Sequence, residues 1–314
     1  MSRSSLRVVV TPPPFCNSST LVAELRRSFP NTVFNDKGRY LTDLELAGFL
    51  SEADAAIVGR DNITEKILQP LTPRLKIIAK YGVGLDNVDE EALARHHVAL
   101  GWTGGVNKRS VAELTLCFML GLCHNVFLNG FALKRNQWQK DGGMQVAGKT
   151  IGIVGCGNVG QEVIQLLRPF ECRILVNDIV DKSEFCARVG AIAVSMDELV
   201  CDADIISLHV PLTSLTNRMI NSSLIERMKP SSFLVNTSRG EVVDQQVLKR
   251  ALQDKKIAGA ALDVFAEEPP TDAEFLALPN LMVTPHIGGN AIEAVEAMGR
   301  SAIDHLVNFF QLVK

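Results

Sequence analysis

The sequence predicts an α/β protein of two doubly wound parallel-sheet domains, one inserted into the other. Its 314 residues are enough for two domains that each bury a core. Short apolar runs alternate with helix-like stretches along nearly all of it, the pattern of parallel sheets covered by helices on both faces. A glycine-rich turn of phosphate-binding form, in "KTIGIVGCGNVGQEVIQLL" at 149–167, comes almost halfway along. The residues before it must therefore make a unit of their own.

Within 1–101, "LRVVVT" is followed by "STLVAELRRSF", where Ser19 or Thr20 can cap the helix. "NTVFN", "AAIVG", "LKIIAKYG" and "VALGW" are the further strands, separated by "LTDLELAGFLSEAD", "ITEKILQPL" and "VDEEALARHH". A long apolar helix pattern from Asn107 to about Leu128 opens a second series. Its strands are "TIGIVG", "RILVND", "AIAVS", "IISLHVP", "SSFLVNTS", "AGAALDVF" and "LMVTPHI". After His286, "NAIEAVEAMGRSAIDHLVNFF" carries apolar residues at Ile292, Val295, Met298, Ala302, Leu306 and Phe309. That amphipathic helix stands apart from the strand series and can return to the first domain. The expected division is 1–101 plus 288–314 for a flavodoxin-like domain and 102–287 for the inserted one.

Apolar residues are 46% and charged residues 21%, an ordinary globular balance, and a net charge of −3 argues against nucleic acid or an anionic membrane as partner. No stretch approaches about 18 uninterrupted apolar residues, so no membrane span is expected, and "MSRSSLRVVV" lacks a signal peptide's apolar core. Seven scattered cysteines without a C-x-x-C pair suit a reducing cytoplasm. No His, Cys, Asp or Glu cluster has metal-ligand spacing, so no metal is expected.

In "GCGNVG", Gly155 permits the tight turn, Gly157 lets the backbone approach a pyrophosphate, and Gly160 lets the helix pack close to the strand. Asn158 and Val159 open a helix whose N-terminus presents free N–H groups to the anion. Asp178 follows Gly160 by 18 residues at the end of "RILVND", near the spacing of a carboxylate that binds ribose hydroxyls. Its charge would repel a 2′-phosphate, so a Rossmann domain binding NAD is expected.

Three later stretches each place polar residues after an apolar strand: "VNTSRGEVVD", "ALDVFAEEPP" and "VTPHIGG". They supply an arginine, a glutamate and a histidine at the strand ends, where such sheets bind ligands. Hydride transfer to a ketone builds negative charge on oxygen, which needs a proton donor and a cation nearby. A carboxylate beside a histidine favours the protonated ring. Singly, each residue could be an ordinary loop or surface group; their placement after successive strands is what points to chemistry.

With "YGVGLDNVD" (81–89), "NKRSVAE" (107–113) and "HVPLTSLTNRMIN" (209–221), these stretches resemble the D-isomer-specific 2-hydroxyacid dehydrogenase family, nearest its phosphoglycerate dehydrogenase branch. The resemblance implies an NAD-dependent enzyme. His286 would be the general acid/base, Glu268 its carboxylate partner in preference to Glu267, and Arg239 the cation on the substrate carboxylate. Asp263 would orient the nicotinamide carboxamide, and Val83 and Gly84 would clasp the carboxylate through backbone N–H groups. His209, Val210, Pro211, Thr216 and Thr237 would line the cofactor site. The family further implies burial of the helix pattern 110–128 at a homodimer interface, with burial between the two domains of one chain as the alternative.

The substrate is less legible. A phosphorylated acid such as 3-phosphoglycerate or phosphohydroxypyruvate needs further cations, and Arg60 and Lys80 stand at strand ends facing the expected cleft. A hydroxypyruvate or glyoxylate reductase needs none. The chain ends soon after the return helix, so control through a C-terminal regulatory domain is not expected. "GGNA" after His286 departs from the Ser or Thr often found there. An NAD(H)-sensing binding protein is the alternative from a different class, and turnover separates the two.

Overall fold

Strands form where β-branched and aliphatic residues run together, and the parallel sheets they make are buried on both faces. The computed structural model describes residues 4–71, 73–140 and 142–312. The chain divides into two units, Met1–Asn107 with Gly289–Lys314, and Lys108–Gly288. The first joint thus falls after Asn107 rather than Gly101. Two side-chain bonds tie the intervening residues to the first unit: Trp102 Nε1 donates to Val83 O, and Thr103 Oγ1 meets His305 Nε2.

The first unit holds five parallel strands, β1 (Val8–Val10), β2 (Thr32–Phe34), β3 (Ala55–Val58), β4 (Ile77–Lys80) and β5 (Ala99–Gly101). Their order β2-β1-β3-β4-β5 is the flavodoxin-like one. Strands β1, β3 and β4 are wholly buried, whereas the edge strand β2 is half-buried. One face packs on Phe15, Leu21, Leu25 and Phe29 and on Met298, Ala302, Ile303 and Leu306 of the helix Ile292–Leu312. The other packs on Leu46, Leu50, Ile63, Leu68 and Leu93. The return helix therefore covers this sheet, although Ile292 at its start is 75% exposed rather than part of the apolar stripe. Ser18, one residue before the expected cap, accepts from Leu21 N and starts the helix Ser19–Ser28.

The second unit holds seven parallel strands. They are β6 (Thr150–Val154), β7 (Arg173–Asn177), β8 (Ile192–Ala193), β9 (Ile205–Leu208), β10 (Phe233–Asn236), β11 (Gly259–Leu262) and β12 (Leu281–Val283). The order β12-β11-β10-β9-β6-β7-β8 reverses direction at β6, the switch point where a doubly wound sheet opens a crevice. Because all strands run parallel, every loop at their carboxyl ends lies along one edge.

The apolar pattern expected to run unbroken to Leu128 is two helices, Lys108–Cys123 and Val126–Lys134, bent by 68°. The break lies at Asn125, whose backbone is left-handed (φ 51), a conformation asparagine tolerates better than most residues. The first helix buries Ala112, Phe118, Met119, Leu122 and Cys123 against the seven-stranded sheet of its own unit. The second leaves Val126, Phe131 and Leu133 exposed. Among the described residues no single helix is long and apolar enough to cross a membrane.

Candidate active site

The cofactor side of the second unit begins at the turn after β6. Gly155 has φ +91, and a Cβ there would stand 2.6 Å from His209 O, so only glycine fits. A Cβ on Gly160 would overlap the carbonyl of Gly155 at 2.1 Å, so this glycine lets the helix Asn158–Leu167 sit on the turn itself. Gly157 caps that helix, and an added Cβ would meet nothing within 4 Å. Its small size leaves space above the helix N-terminus, where N–H groups without intrahelical partners favour an anion.

Asp178, just past β7, accepts from Cys156 N at 2.7 Å and from Val180 N at 2.8 Å. Its carboxylate thus braces the glycine turn and stands beside it. Past β9, His209 Nε2 is hydrogen-bonded to the buried Ser207 hydroxyl at 2.9 Å. His209 Nδ1 is buried with no partner among the described residues. Burial pushes this imidazole down to about 3, so it is neutral at working pH. The loop beyond is folded by Thr216, whose Oγ1 donates to Pro211 O at 2.6 Å and accepts from Thr213 N. Thr115 Oγ1 donates to Val111 O, so the Thr237 hydroxyl 2.8 Å away donates to Thr115 and ties the end of β10 to the helix Lys108–Cys123. A glycine turn, an open helix N-terminus, a carboxylate beside it and an unsatisfied buried nitrogen together suit a dinucleotide.

The polar groups follow β10, β11 and β12, which are neighbours in the sheet. Asn236, fully buried, donates through Nδ2 to Arg239 O at 2.8 Å and accepts from Ser238 N and Oγ. Those bonds shape the turn that carries Arg239. A Cβ on Gly240 would fall 1.9 Å from the Phe265 carbonyl carbon, so this turn lies directly against the loop after β11. In that loop Glu268 Oε1 accepts from Phe265 N at 3.2 Å, and both its oxygens reach His286 Nδ1, at 3.0 and 2.9 Å. The other ring nitrogen of His286 faces away from this carboxylate.

Asp263 is buried at the end of β11 and engages the histidine's own loop. Oδ1 accepts from Thr284 Oγ1 at 2.6 Å and from Ile287 N at 2.8 Å, and Oδ2 accepts from Gly288 N at 2.8 Å. His286 sits between those anchors with a left-handed backbone, φ 54. Strain of this kind persists only where the surroundings over-determine it. Asp263, expected at a nicotinamide, thus has a task within the chain that sequence reading missed.

In the first unit, Gly82 has φ +122 and opens the loop of Val83 and Gly84. Among the described residues neither of those two backbone N–H groups has an acceptor within the chain. Arg60 is exposed, its guanidinium 6.0 Å from the centre of the Tyr40 ring. Lys80, expected to reach a substrate phosphate, is buried instead. Its Nζ donates to Gly59 O and, at 2.6 Å, to Asn87 Oδ1. The alternation along β4 turns it to the side of Ile78, into a cluster of carbonyls that a buried ammonium needs. Among the described residues no group of three or more His, Cys, Asp or Glu is placed to hold a metal ion.

Residues 116–288, just over half of the chain, match the model of the D-isomer specific 2-hydroxyacid dehydrogenase NAD-binding domain. The chain belongs to that family. The dehydrogenase is 36% identical to a glyoxylate reductase of Thermococcus litoralis over 82% of this chain and 81% of that one. It is 36% identical to a hydroxypyruvate reductase of Thermotoga maritima over 83% and 86%. Identity to a D-3-phosphoglycerate dehydrogenase of Methanocaldococcus jannaschii is also 36%, over 82% of this chain but only 50% of that longer protein. Among solved structures, D-lactate dehydrogenase from Aquifex aeolicus, complexed with NAD and lactic acid, superposes with a TM-score of 0.82 at 26% identity, covering 97% and 95% of the two chains. The protein is therefore an NAD-dependent oxidoreductase acting on 2-hydroxy acids and their 2-oxo acid counterparts.

Proposed function

We propose that this dehydrogenase reduces a small, unphosphorylated 2-oxo acid of the glyoxylate and hydroxypyruvate class. The His286–Glu268 pair carries the chemical part of this reading. NAD in its reduced form, when bound, supplies the hydride. Glu268 holds Nδ1 of the ring, which turns Nε2 away from the carboxylate to exchange a proton with the carbonyl oxygen as negative charge builds there. Arg239 presents a planar fork that suits the substrate carboxylate. In the first unit the Val83 and Gly84 N–H groups suit a carboxylate as well. Asp263 keeps the His286 loop in place while the proton moves.

Two observations support the smaller acids. The Lys80 ammonium is committed to Gly59 O and Asn87, which removes one of the two cations a phosphate would call on. More of the similar relatives bear the names glyoxylate or hydroxypyruvate reductase than phosphoglycerate dehydrogenase. Arg60, at the surface, favours phosphohydroxypyruvate as the second reading. Initial rates of NADH oxidation with glyoxylate, hydroxypyruvate and phosphohydroxypyruvate test both. A kcat/KM at least about tenfold higher for the unphosphorylated acids supports the first. The reverse preference replaces it with the second, and NADH binding without turnover points to a sensor.

The exposed apolar residues of Val126–Lys134, with Trp138 at 77% exposure, support a homodimer built on this segment rather than on the buried helix before it. All seven cysteines are free thiols, which supports a reducing cytoplasm.

A further inference from the structure

We propose that Lys80 and Asn87 act as positioning residues: they close the neck of the loop 81–87 and hold its N–H groups in shape before the substrate carboxylate arrives. This rests on the reading of Val83 and Gly84 as carboxylate binders. The two residues stand at opposite ends of the loop. Lys80 Nζ donates to Asn87 Oδ1 at 2.6 Å across the neck, and both side chains donate to the same carbonyl, Gly59 O, at the end of β3. Asn87 Nδ2 donates also to Asp61 O, and Asn87 O accepts from Ile63 N at 2.8 Å. The buried Asp61 carries the tie onward, accepting from Gly59 N at 3.0 Å and from the Thr11 hydroxyl past β1. A charge-assisted bond buried in such a network rigidifies what it spans.

The loop tip is fixed from the far side. Trp102 Nε1 donates to Val83 O at 3.1 Å. In a trans peptide the C=O and N–H point in opposite directions, so anchoring the Val83 carbonyl aims the Gly84 N–H away from Trp102. With neither N–H satisfied among the described residues, the loop is a rigid cradle of donors. Loss of the buckle lets these donors wander and costs carboxylate affinity, because ordering them is then left to the binding step.

The test uses Asn87→Ala, Lys80→Met and, as a surface variant of low folding risk, Trp102→Phe. Hydrogen exchange in peptides covering 80–90 of the substrate-free protein is read first. The expected result is exchange about tenfold faster there in Asn87→Ala and Lys80→Met, with the second unit unchanged. Steady-state kinetics then show KM raised about tenfold for glyoxylate, hydroxypyruvate and phosphohydroxypyruvate alike, and about threefold in Trp102→Phe. In all three variants kcat stays within about twofold and the NADH Kd is unchanged. Unchanged exchange in folded Asn87→Ala overturns the proposal. So does a KM rise in Lys80→Met confined to the phosphorylated acid, which would return Lys80 to phosphate binding. Wild-type protein inert toward all three acids overturns the carboxylate reading instead, while the exchange data still decide the buckle.

Discussion

Asp263 and Thr284 are bound side chain to side chain at 2.6 Å, and the sheet register makes them meet. Strands β11 and β12 pair Leu262 with Val283, so the residues that follow, Asp263 and Thr284, leave the sheet side by side. The aspartate then takes Ile287 N and Gly288 N as well, which pins the loop on both sides of His286.

Thr284→Val removes one donor from a buried carboxylate while keeping the side-chain shape. The loss of that bond, worth about 1–3 kcal/mol at a charged acceptor, should loosen the histidine loop. The expected outcome is a kcat reduced about tenfold with NADH affinity retained, and recovery in Thr284→Ser. Steady-state rates and fluorescence titration with NADH check it.

Asp178 should exclude the 2′-phosphate of NADP by charge and by its place against the glycine turn. In Asp178→Ala the ratio of kcat/KM for NADH over NADPH should fall at least about tenfold. Some loss of NADH affinity should accompany it, because Cys156 N and Val180 N lose their acceptor. An unchanged ratio would remove the aspartate from cofactor discrimination.

His209 should make the fold acid-sensitive. Its imidazole is held neutral by burial, at about 3 against an ordinary 6.5. Below 6.5 the unfolded chain takes up a proton that the folded chain refuses. This contribution is therefore complete above pH 6.5 and is lost as pH falls toward 3, by up to about 1.4 kcal/mol per pH unit. Urea unfolding at pH 7 and pH 5 should show the wild type losing more stability than His209→Asn over that interval.

If the exposed face of Val126–Lys134 and Trp138 is covered by a second copy, Phe131→Asp with Trp138→Asp should give a folded monomer. Sedimentation velocity reads the result, and a wild type that is itself monomeric would refute the expectation.

Much of this was legible because the signals are local. Runs such as "VVV", "AAIV" and "IISL" specify strands, and the glycine turn specifies its own geometry at Gly155 and Gly160. Positions after strands offered a histidine and two glutamates, the family resemblance singled out His286 and Glu268, and the structure brings that pair to hydrogen-bond distance. What stayed hidden depends on register or on which side of a sheet a residue faces. Thr284 had no role legible in the sequence, because it meets Asp263 only through the pairing of β12 with β11. Lys80 read as a free cation because its burial is decided by the carbonyl of Gly59, 21 residues earlier in the chain. Asn125 broke an apolar pattern that hydrophobicity alone would continue.

The central claim is that His286, paired with Glu268, moves the proton that accompanies hydride transfer. It is tested most directly by kcat/KM for glyoxylate and hydroxypyruvate in His286→Asn beside the wild type, with the NADH Kd measured on the same samples. The account predicts a fall of about 10²–10⁴ in turnover with NADH binding unchanged. Turnover within about tenfold of the wild type, in protein that still binds NADH, would contradict it.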